Sequence, residues 1–462
     1  MNKNYDVTII GGGIAGIMAG YELSLHNPNL KVAIIEQGTP LDKRVCPIIA
    51  KKVTKCIGCK SCAIMNGFGG AGAFSDGKYN LTTEFGGWLN EYISDEETIE
   101  LIKYVDEINV KHGATEEYFS TRTEKGIALE KAALAYDLHL AHANCKHLGT
   151  ENNIKILANI YDTVKDKIDI VFNTKVTTIL KVGDDFQVTT NTGDTINSKF
   201  LIAAPGRAGA EWFSKQLDEL GVPMVNNQVD IGVRVELPAL TFKDVTDAVY
   251  EAKFMYRTKC HGDRVRTFCM NPYGHVVTEN VDGLVTVNGH SYSDKSLQSN
   301  NTNFAILVSS RFTEPFKDPY AYGKRIASLS NLLGEGVIVQ KYGDLLNGNR
   351  SNAHRMDKSF VHPTLAAATP GDLSWVIPKR QLDDIIEMIE TLDKICPGTA
   401  NYDTLLYGVE VKFYSSRPTL SSELETIIPN MFAIGDGAGV TRGLAQAAAS
   451  GVHVARAILK RI

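Results

Sequence analysis

The sequence predicts a mixed α/β chain in which a parallel-sheet domain is interrupted by a β-rich second domain. The first part has an apolar strand, a glycine-rich turn, a helix and a second apolar strand, an order typical of parallel sheets. The middle part has short β-rich runs such as VDIGVRVEL, separated by polar loops. The last part returns to a strand, a glycine-rich turn and an alanine-rich helix. We therefore expect an α/β domain with an inserted β-rich α+β domain.

The first element is a strand, turn and helix with three spaced glycines. The apolar strand Val7–Ile10 runs into Gly11, Gly13 and Gly16 in the G-x-G-x-x-G spacing, and a helix follows from about Ala15. The first glycine permits a tight turn, the second lets the backbone approach phosphates, and the third allows close helix packing. Since a helix N-terminus also favours anions, the pattern predicts a pyrophosphate site.

An acidic residue closes the next strand. The apolar run Lys31–Ile35 ends at Glu36, about twenty residues after the glycines. A carboxylate at this place accepts hydrogen bonds from a ribose diol and repels a 2′-phosphate. Strand, glycines, helix, strand and acid in this order predict dinucleotide binding.

Four cysteines follow in the segment 46–62. Cys46 precedes Pro47, and Cys56, Cys59 and Cys62 form a C-x-x-C-x-x-C run. Two-residue gaps let successive thiolates turn toward one centre, so the set can hold an iron–sulfur cluster of the [4Fe-4S] type with Cys46 as the fourth ligand. Zinc and thiols without metal are the other two interpretations. The remaining cysteines are predicted to be isolated small side chains: Cys145, Cys260, Cys269 and Cys396.

The stretch Asn66–Lys78 is too rich in glycine for a helix or an ordinary strand. Dense glycines allow the backbone to approach something flat or charged. The region from 80 to 135 is predicted to be mainly helical, with Ser94 as a helix N-cap followed by acidic residues. Phe186–Thr190 and Ile196–Ala203 are predicted strands, and the second runs into Ala204-Pro205-Gly206-Arg207.

The chain is predicted to divide at two places. Residues 1–210 form the dinucleotide-binding domain, 211–405 an inserted substrate domain, and 406–462 a C-terminal return to the first domain. Candidate pocket residues, chosen because they lie next to turns, are Arg266, Cys269, Asn288, His290 and Arg417.

The C-terminal segment indicates which dinucleotide is bound. NMFAIGDGAGVTRGLAQAAASGVHVARAIL has a strand ending at Ile434, then Gly435-Asp436-Gly437, then a small-residue helix. It resembles the C-terminal signature of FAD-dependent oxidoreductases of the glutathione reductase type. The resemblance implies a Rossmann FAD-binding domain of that type, with Asp436 bound to the flavin ribityl chain and the last helix pointing at the isoalloxazine.

A second resemblance covers nearly the whole chain. Cys46-Pro47, the C-x-x-C-x-x-C run, GFGGAGAFSDGK, DIGVRVE (Asp230–Glu236) and VRTFCMNPYGHVV (Val265–Val277) resemble a family of uncharacterised bacterial FAD-dependent dehydrogenases. This chain resembles a shorter subgroup, because the glycine motif stands almost at its start. Its segment EVKFYSSRP (Glu410–Pro418) and Gly435-Asp436-Gly437 depart from the family pattern.

These resemblances imply roles for named residues. The residues expected to contact FAD are Gly11, Gly13, Gly16, Glu36, Gly70, Gly72, Val176, Gly206, Gly435, Asp436 and Gly443. Those expected near the reacting face of the flavin are Ser75, Asp76, Lys78 and Arg417. Lys78 is the first candidate for charge stabilisation or proton donation.

The predicted function is an FAD-dependent oxidoreductase that transfers a hydride between an organic small molecule and flavin N5. The alternative is an electron-transfer or redox-sensing flavoprotein that exchanges electrons with a protein partner through the cysteines. A flavin-dependent RNA-modifying enzyme is a third interpretation. No second G-x-G-x-x-G motif occurs in the sequence, so a Rossmann-type nicotinamide site is not expected.

Composition is ordinary for a soluble protein. The 462 residues are 44% hydrophobic and 22% charged, with a formal net charge of −5. This balance gives no basic field for nucleic acid. No secretory signal or membrane-spanning run is predicted, and we expect a cytoplasmic protein.

Overall fold

The computed structural model describes the chain except residues 1, 48–49, 51, 54–56, 58, 76, 226, 250, 282, 293–294 and 314–317. The chain divides into two compact units. The first unit comprises 1–119, 143–225 and 415–462, and the second comprises 120–142 and 226–414. In the described part of the chain, no helix is long and apolar enough to cross a membrane.

Strands and helices are interspersed along the chain. The strands are β1 (Asn2–Ile10), β2 (Val32–Ile35), β3 (Lys78–Leu81), β4 (Phe119–Ser120), β5 (His139–Leu140), β6 (Asn144–His147), β7 (Asp169–Val171), β8 (Val176–Val182), β9 (Asp185–Thr190), β10 (Thr195–Ala203), β11 (Met224–Val225), β12 (Val229–Pro238), β13 (Phe254–Arg257), β14 (Arg264–Asn271), β15 (His275–Val281), β16 (Leu284–His290), β17 (Asn301–Ser310), β18 (Ile338–Lys341), β19 (Thr369–Pro370), β20 (Leu405–Lys412), β21 (Arg417–Pro418) and β22 (Met431–Ala433). The helices are α1 (Ile14–His26), α2 (Asp95–Lys111), α3 (Glu124–Leu134), α4 (Thr150–Val164), α5 (Gly206–Glu219), α6 (Lys243–Ala248), α7 (Pro319–Gly334), α8 (Tyr342–Leu346), α9 (Ala353–Asp357), α10 (Lys379–Asp393) and α11 (Leu444–Leu459).

The first unit is built on a sheet in the order β7-β2-β1-β10. These strands are parallel, and β22 continues the parallel set beside the end of β10. The antiparallel strands β9 and β8 extend the sheet beside the beginning of β10. Every residue of β2 is buried, as expected of a strand covered on both faces. The strands predicted near 7–10, 31–35, 186–190, 196–203 and 434 are confirmed.

The second unit is built on a mainly antiparallel sheet in the order β19-β18-β20-β12-β17-β14-β13-β5. Strand β12 alternates in character: Ile231, Val233 and Val235 belong to the apolar core, and Asp230 and Arg234 alternate with them. Since successive side chains of a strand point to opposite faces, one face of this sheet is apolar. The other face carries buried polar side chains beside apolar ones such as Tyr407 and Leu405. The predicted β-rich character of this part is confirmed.

The observed division differs from the predicted domain limits of 210/211 and 405/406. Residues 120–142 belong to the second unit, because His139 and Leu140 of β5 pair with Met255 and Phe254 of β13. The first unit extends to 225 and resumes at 415, since β11 pairs with β21. The region 80–135, predicted to be mainly helical, contains α2 and α3 but also β3 and β4.

Candidate functional site

Four parallel strands of the first unit end at the same edge of its sheet. Ile10 of β1 lies opposite Ile35 of β2 and Ala203 of β10, and Ala203 lies opposite Ala433 of β22. The residues that follow these strands therefore emerge side by side. In open α/β sheets, ligands bind in the crevice at the carboxyl ends of the strands.

The three glycines after β1 have different structural reasons. Gly11 has φ +107°, and a Cβ there would lie 2.1 Å from the carbonyl oxygen of Ala204. A Cβ at Gly16 would lie 2.1 Å from the carbonyl oxygen of Gly11. Gly13 has φ −74°, and a Cβ there would meet no described atom within 4 Å. The protein's own packing requires Gly11 and Gly16, whereas Gly13 faces space that a ligand can fill.

The N-terminus of α1 lies at the same edge. Gly13 is its N-cap, and among the described residues no side chain caps it and no acidic residue stands in its first turn. Helix α11 begins in the same way after Gly443. A Cβ at Gly451 of α11 would lie 2.1 Å from the carbonyl oxygen of Ala15, so the two helices are in close contact. Uncapped N–H groups favour an anion at these helix ends.

Glu36 is buried at the end of β2, with 5% exposure. Its carboxylate accepts hydrogen bonds from the backbone N–H groups of Gly12 at 2.7 Å, Gly38 at 2.7 Å and Gly67 at 2.8 Å. The side chain thus fixes three loops at the edge of the sheet. A carboxylate has roughly four lone-pair positions, so capacity remains for a ligand hydroxyl.

The second glycine stretch lies against the first. The backbone N–H of Gly69 donates to the carbonyl oxygen of Gly12 at 2.8 Å, and a Cβ at Gly70 would lie 3.1 Å from the Cα of Gly13. Arg44, which the sequence analysis did not single out, is buried beside this stretch. Its guanidinium donates to four carbonyl oxygens, those of Ala63, Ile64, Phe68 and Gly70. Burial lowers the pKa of Arg44 to about 10.

The residues predicted near the reacting face fall at the end of this stretch. The hydroxyl of Ser75 donates to the carbonyl oxygen of Gly72 at 2.7 Å, so it stabilises the local turn. Lys78 begins β3, opposite His147 of β6. Asp76 lies outside the described residues.

The predicted contact Val176 begins β8 and is buried. Two residues earlier, the backbone N–H of Thr174 donates to the carbonyl oxygen of Glu36 at 3.0 Å. The start of β8 therefore lies beside the predicted ribose-binding carboxylate.

The C-terminal segment completes the edge. The backbone N–H of Ile434 donates to the carbonyl oxygen of Ala203 at 2.9 Å, and Gly435 follows with φ +75°. Asp436 accepts a hydrogen bond from the hydroxyl of Thr441 at 2.8 Å. A Cβ at Gly437 would lie 2.2 Å from the carbonyl oxygen of Gly206. The predicted residues Gly206, Gly435 and Asp436 are thus neighbours in the structure.

Arg417 lies beside the same C-terminal segment. Its Cγ is 2.6 Å from the position that a Cβ at Gly439 would take. Its Nη1 forms an ion pair with Glu91 at 2.5 Å, and its guanidinium lies 5.4 Å from the ring centroid of Trp88. The predicted catalytic arginine therefore carries a carboxylate partner.

The clustered cysteines are described in part. Cys46, Cys59 and Cys62 are free thiols, and Cys56 lies outside the described residues. The three described sulfurs do not form a compact ligand group in the structure as described. The cluster, zinc and free-thiol interpretations stay predictions.

The second unit carries a buried polar network around Arg234. This side chain is fully buried, and it forms a bidentate ion pair with Glu410. Its Nε donates to Oε2 at 2.8 Å and its Nη2 donates to Oε1 at 2.9 Å. Its other N–H groups donate to the carbonyl oxygen of Cys269 and to side-chain oxygens of Asn303 and Asn288. All five guanidinium N–H donors thus have an acceptor. Two of the predicted pocket residues, Cys269 and Asn288, meet here.

Arg266, the third predicted pocket residue of this unit, pairs with Asp230 at 2.6 Å and with the hydroxyl of Tyr414 at 3.0 Å. Burial alone lowers the pKa of Arg266, but Tyr414 and Asp230 raise it above its usual value. His290 is exposed at the end of β16. The geometry therefore brings Cys269 and Asn288 together, and it leaves His290 at the surface.

Three cations whose grouping was not expected from the sequence surround Phe268 of β14. Lys253, Arg266 and Lys412 lie 5.4, 4.8 and 5.7 Å from the ring centroid of Phe268. Alternation along β20, where Glu410 and Lys412 stand two residues apart, is the signal that could have found the network.

The comparison with protein-family models finds one family. Residues 228–413 match the model described as "FAD-dependent protein, C-terminal domain-like". An uncharacterized protein of Clostridium beijerinckii is 26% identical over 475 residues, a match that covers 98% of this chain and 80% of that protein.

Solved structures are similar to this chain only at low sequence identity. Glycine oxidase from Geobacillus kaustophilus has 13% sequence identity and a TM-score of 0.38, with 99% of this chain and 95% of that chain covered. Quinol fumarate reductase of E. coli has 13% identity and a TM-score of 0.42, with 100% and 71% covered. Similarity at this level decides nothing about chemistry.

Proposed function

We propose that the protein is an FAD-dependent oxidoreductase whose first unit binds FAD at the carboxyl edge of its parallel sheet. The observation that carries the proposal is the convergence of Gly13, Glu36 and Gly435 at the ends of strands that stop at one level. The family match of residues 228–413 to an FAD-dependent protein supports the same cofactor.

The residues at this edge fit the parts of FAD. The open space at Gly13 and the uncapped start of α1 suit the pyrophosphate. Glu36 has an acceptor position for the ribose hydroxyls. Asp436, held by Thr441, is the proposed partner of the ribityl chain. This assignment is the glutathione-reductase-type arrangement that the sequence resembles.

FAD, when bound, supplies a site at N5 that accepts or gives a hydride. The chain's part is to orient the reactants, to exclude water and to hold charge. Ser75, Lys78 and Arg417 remain the proposed residues near the reacting face, together with Asp76. Glu91 neutralises the charge of Arg417. The arginine therefore either positions the neighbouring segment or leaves Glu91 for the substrate when substrate binds.

We propose a small organic molecule as the substrate. Arg266, Cys269 and Asn288 are the proposed contacts in the second unit, and the cations around Phe268 suit an anionic or aromatic group. Arg234 is not proposed as a contact, since each of its N–H groups already has an acceptor.

Electron exchange with a protein partner is the second candidate function. Arg44 links the cysteine-rich segment to the glycine stretch, because it donates to Ala63 and Ile64 on one side and to Gly70 on the other. A redox group bound by Cys46, Cys56, Cys59 and Cys62 would then be connected to the proposed flavin site through Arg44.

One spectrum separates the two functions. We expect protein purified without oxygen to show flavin bands and, after denaturation, to release about one FAD per chain. Flavin bands alone direct the search to small-molecule hydride donors. Broad absorbance that persists after flavin removal, with acid-labile sulfide, favours the protein-partner function. A protein that stays colourless after reconstitution with FAD contradicts the proposal.

Gly13→Ala tests the site itself. The new methyl group meets no described atom of the protein, so the melting temperature of the FAD-free variant should equal that of the parent. Because the methyl group fills the pyrophosphate space, we expect FAD affinity to fall by about tenfold or more. Gly16→Ala is the matched comparison: its methyl group meets the carbonyl oxygen of Gly11, so stability falls. Unchanged FAD affinity in Gly13→Ala contradicts the assignment.

A further inference from the structure

The hairpin between β13 and β14 places a cysteine and a histidine beside helix α10. Cys260 and His261 occupy the tip of this hairpin, and Asp384 stands on α10. One ligand atom from each of the three side chains lies within 4.8 Å of the others. The prediction that Cys260 is an isolated small side chain is wrong, because its exposed thiol lies 3.4 Å from Oδ1 of Asp384.

Asp384 is the unusual member of the group. Its side chain is fully buried, and its Oδ2 has no hydrogen-bond partner among the described residues. A buried carboxylate oxygen without a partner is costly, and a bound cation is one of its ordinary explanations.

We propose that Cys260, His261 and Asp384 bind a divalent transition metal, with Zn²⁺ as the fitting ion. Sulfur, imidazole nitrogen and carboxylate oxygen are the three ligand types that zinc accepts. Tetrahedral zinc with bonds of about 2.3 Å to sulfur and 2.0 Å to oxygen separates those two atoms by ~3.5 Å. The observed separation between the Cys260 sulfur and Asp384 Oδ1 is 3.4 Å. Oδ1 also accepts from the hydroxyl of Thr258 at 2.7 Å, and Oδ2 is the carboxylate oxygen without a partner among the described residues.

Tetrahedral zinc has four ligands, so the fourth coordination position would be taken by water or by a further carboxylate. Asp263 is bound by Arg380 at 2.6 and 3.0 Å, and Asp383 lies 3.3 Å from the His261 ring nitrogen Nε2. A carboxylate beside a ligand histidine is the usual orienting partner in zinc sites. Hard cations such as Mg²⁺ and Ca²⁺ are a poor match, because they prefer oxygen ligands alone.

Metal binding here fastens the hairpin to α10. Zinc binds the thiolate form of cysteine, so metal binding displaces the proton of the Cys260 thiol. All three ligands belong to the second unit, and none of them is among the residues proposed to contact FAD or substrate.

The test is zinc stoichiometry in the full-length chain. Because the clustered cysteines can also bind zinc, the background carries Cys56→Ser, Cys59→Ser and Cys62→Ser. After zinc loading and dialysis, we expect about one zinc per chain in this background and less than about 0.1 after adding Cys260→Ala or Asp384→Asn. Cys269→Ser, which changes another thiol of the same unit, should keep the zinc.

Thermal unfolding separates loss of metal from loss of fold. Asp384→Asn keeps the shape and removes a buried carboxylate, so the metal-free variant should melt no lower than the metal-free background. Added zinc should raise the melting temperature of the background and leave that of Asp384→Asn unchanged. A background that binds no zinc, or variants that retain it, would overturn the proposal.

Discussion

At the scale of single residues, the buried ion pair between Arg234 and Glu410 shows how charge is tolerated inside the second unit. Both side chains are fully buried. Lys412 adds a further contact to Glu410 at 3.0 Å. Since every N–H of Arg234 has an acceptor, the network avoids an unsatisfied charge.

Glu410→Gln should destabilise the protein by about 3–5 kcal/mol, because it leaves the charge of Arg234 buried without its partner. The measurement is chemical unfolding at pH 7. Glu425→Gln, at a partly exposed pair with Arg461, is the comparison and should cost only about 0–1 kcal/mol. Equal losses in the two variants would contradict the buried-network argument.

The same pair predicts a pH dependence. Burial alone raises the pKa of Glu410, but Arg234 and Lys412 lower it below its usual value. A lowered folded-state pKa contributes stability above the unfolded value of about 4.3, and the contribution is lost as pH falls through the folded value. The difference in unfolding free energy between the parent and Glu410→Gln should therefore shrink below about pH 4.

At the scale of elements, helix starts divide into capped and uncapped ones. Ser94 caps α2 by accepting from the backbone N–H of Glu97 at 3.1 Å, and Thr123 caps α3 through Gly126. The helices α1 and α11 instead begin after glycines, with no side-chain cap in the described structure. The caps of α2 and α3 stabilise the fold, whereas the uncapped starts of α1 and α11 lie at the proposed FAD site. Helices α4, α5 and α10 also start without a side-chain cap, so the missing cap alone does not identify that site.

Ser94→Ala should lower the free energy of unfolding by about 1 kcal/mol, because one N–H group at the start of α2 loses its acceptor. Ser94→Asp is the control, since an aspartate oxygen accepts the same hydrogen bond and suits the positive end of the helix. Thermal melts of the three proteins provide the measurement. An equal loss of unfolding free energy in both variants would show that the Ser94 hydroxyl does not act as a helix cap.

At the scale of the whole molecule, the first unit is assembled from three separate stretches of chain. The last stretch supplies β22 and α11, whose side chains share one apolar core with β1 and α1. The sheet edge proposed for FAD is therefore incomplete until the C-terminal residues have docked.

A chain that ends at Tyr414 should not fold its first unit, because the apolar face of α1 loses α11. We expect rapid proteolysis and no FAD binding. A chain that ends at Lys460 keeps α11. It loses the ion pairs of Arg461 with Glu423 and Glu425 and its contacts with Asn430 and Phe432, so it should still fold. Limited proteolysis compares the two chains, and equal resistance would refute the docking argument.

Much of the first unit could be predicted from local sequence. Gly11 and Gly16 follow a strand at fixed spacing, and Ser94 precedes acidic residues, so chain neighbours alone identify a turn and a cap. Arg44 could not be identified, because its four acceptors stand 19 to 26 residues away in an irregular loop.

Local sequence predicts the α/β class, the order of strands and glycine turns, and the residues proposed for the FAD site. These depend on backbone conformation and on side-chain period, which are local properties. The tertiary structure alone decided that 120–142 joins the second unit, that Glu410 neutralises Arg234, and that Cys260 meets Asp384 across 124 residues. Such contacts depend on which strands and helices pack together, and this pairing has no signature in neighbouring residues.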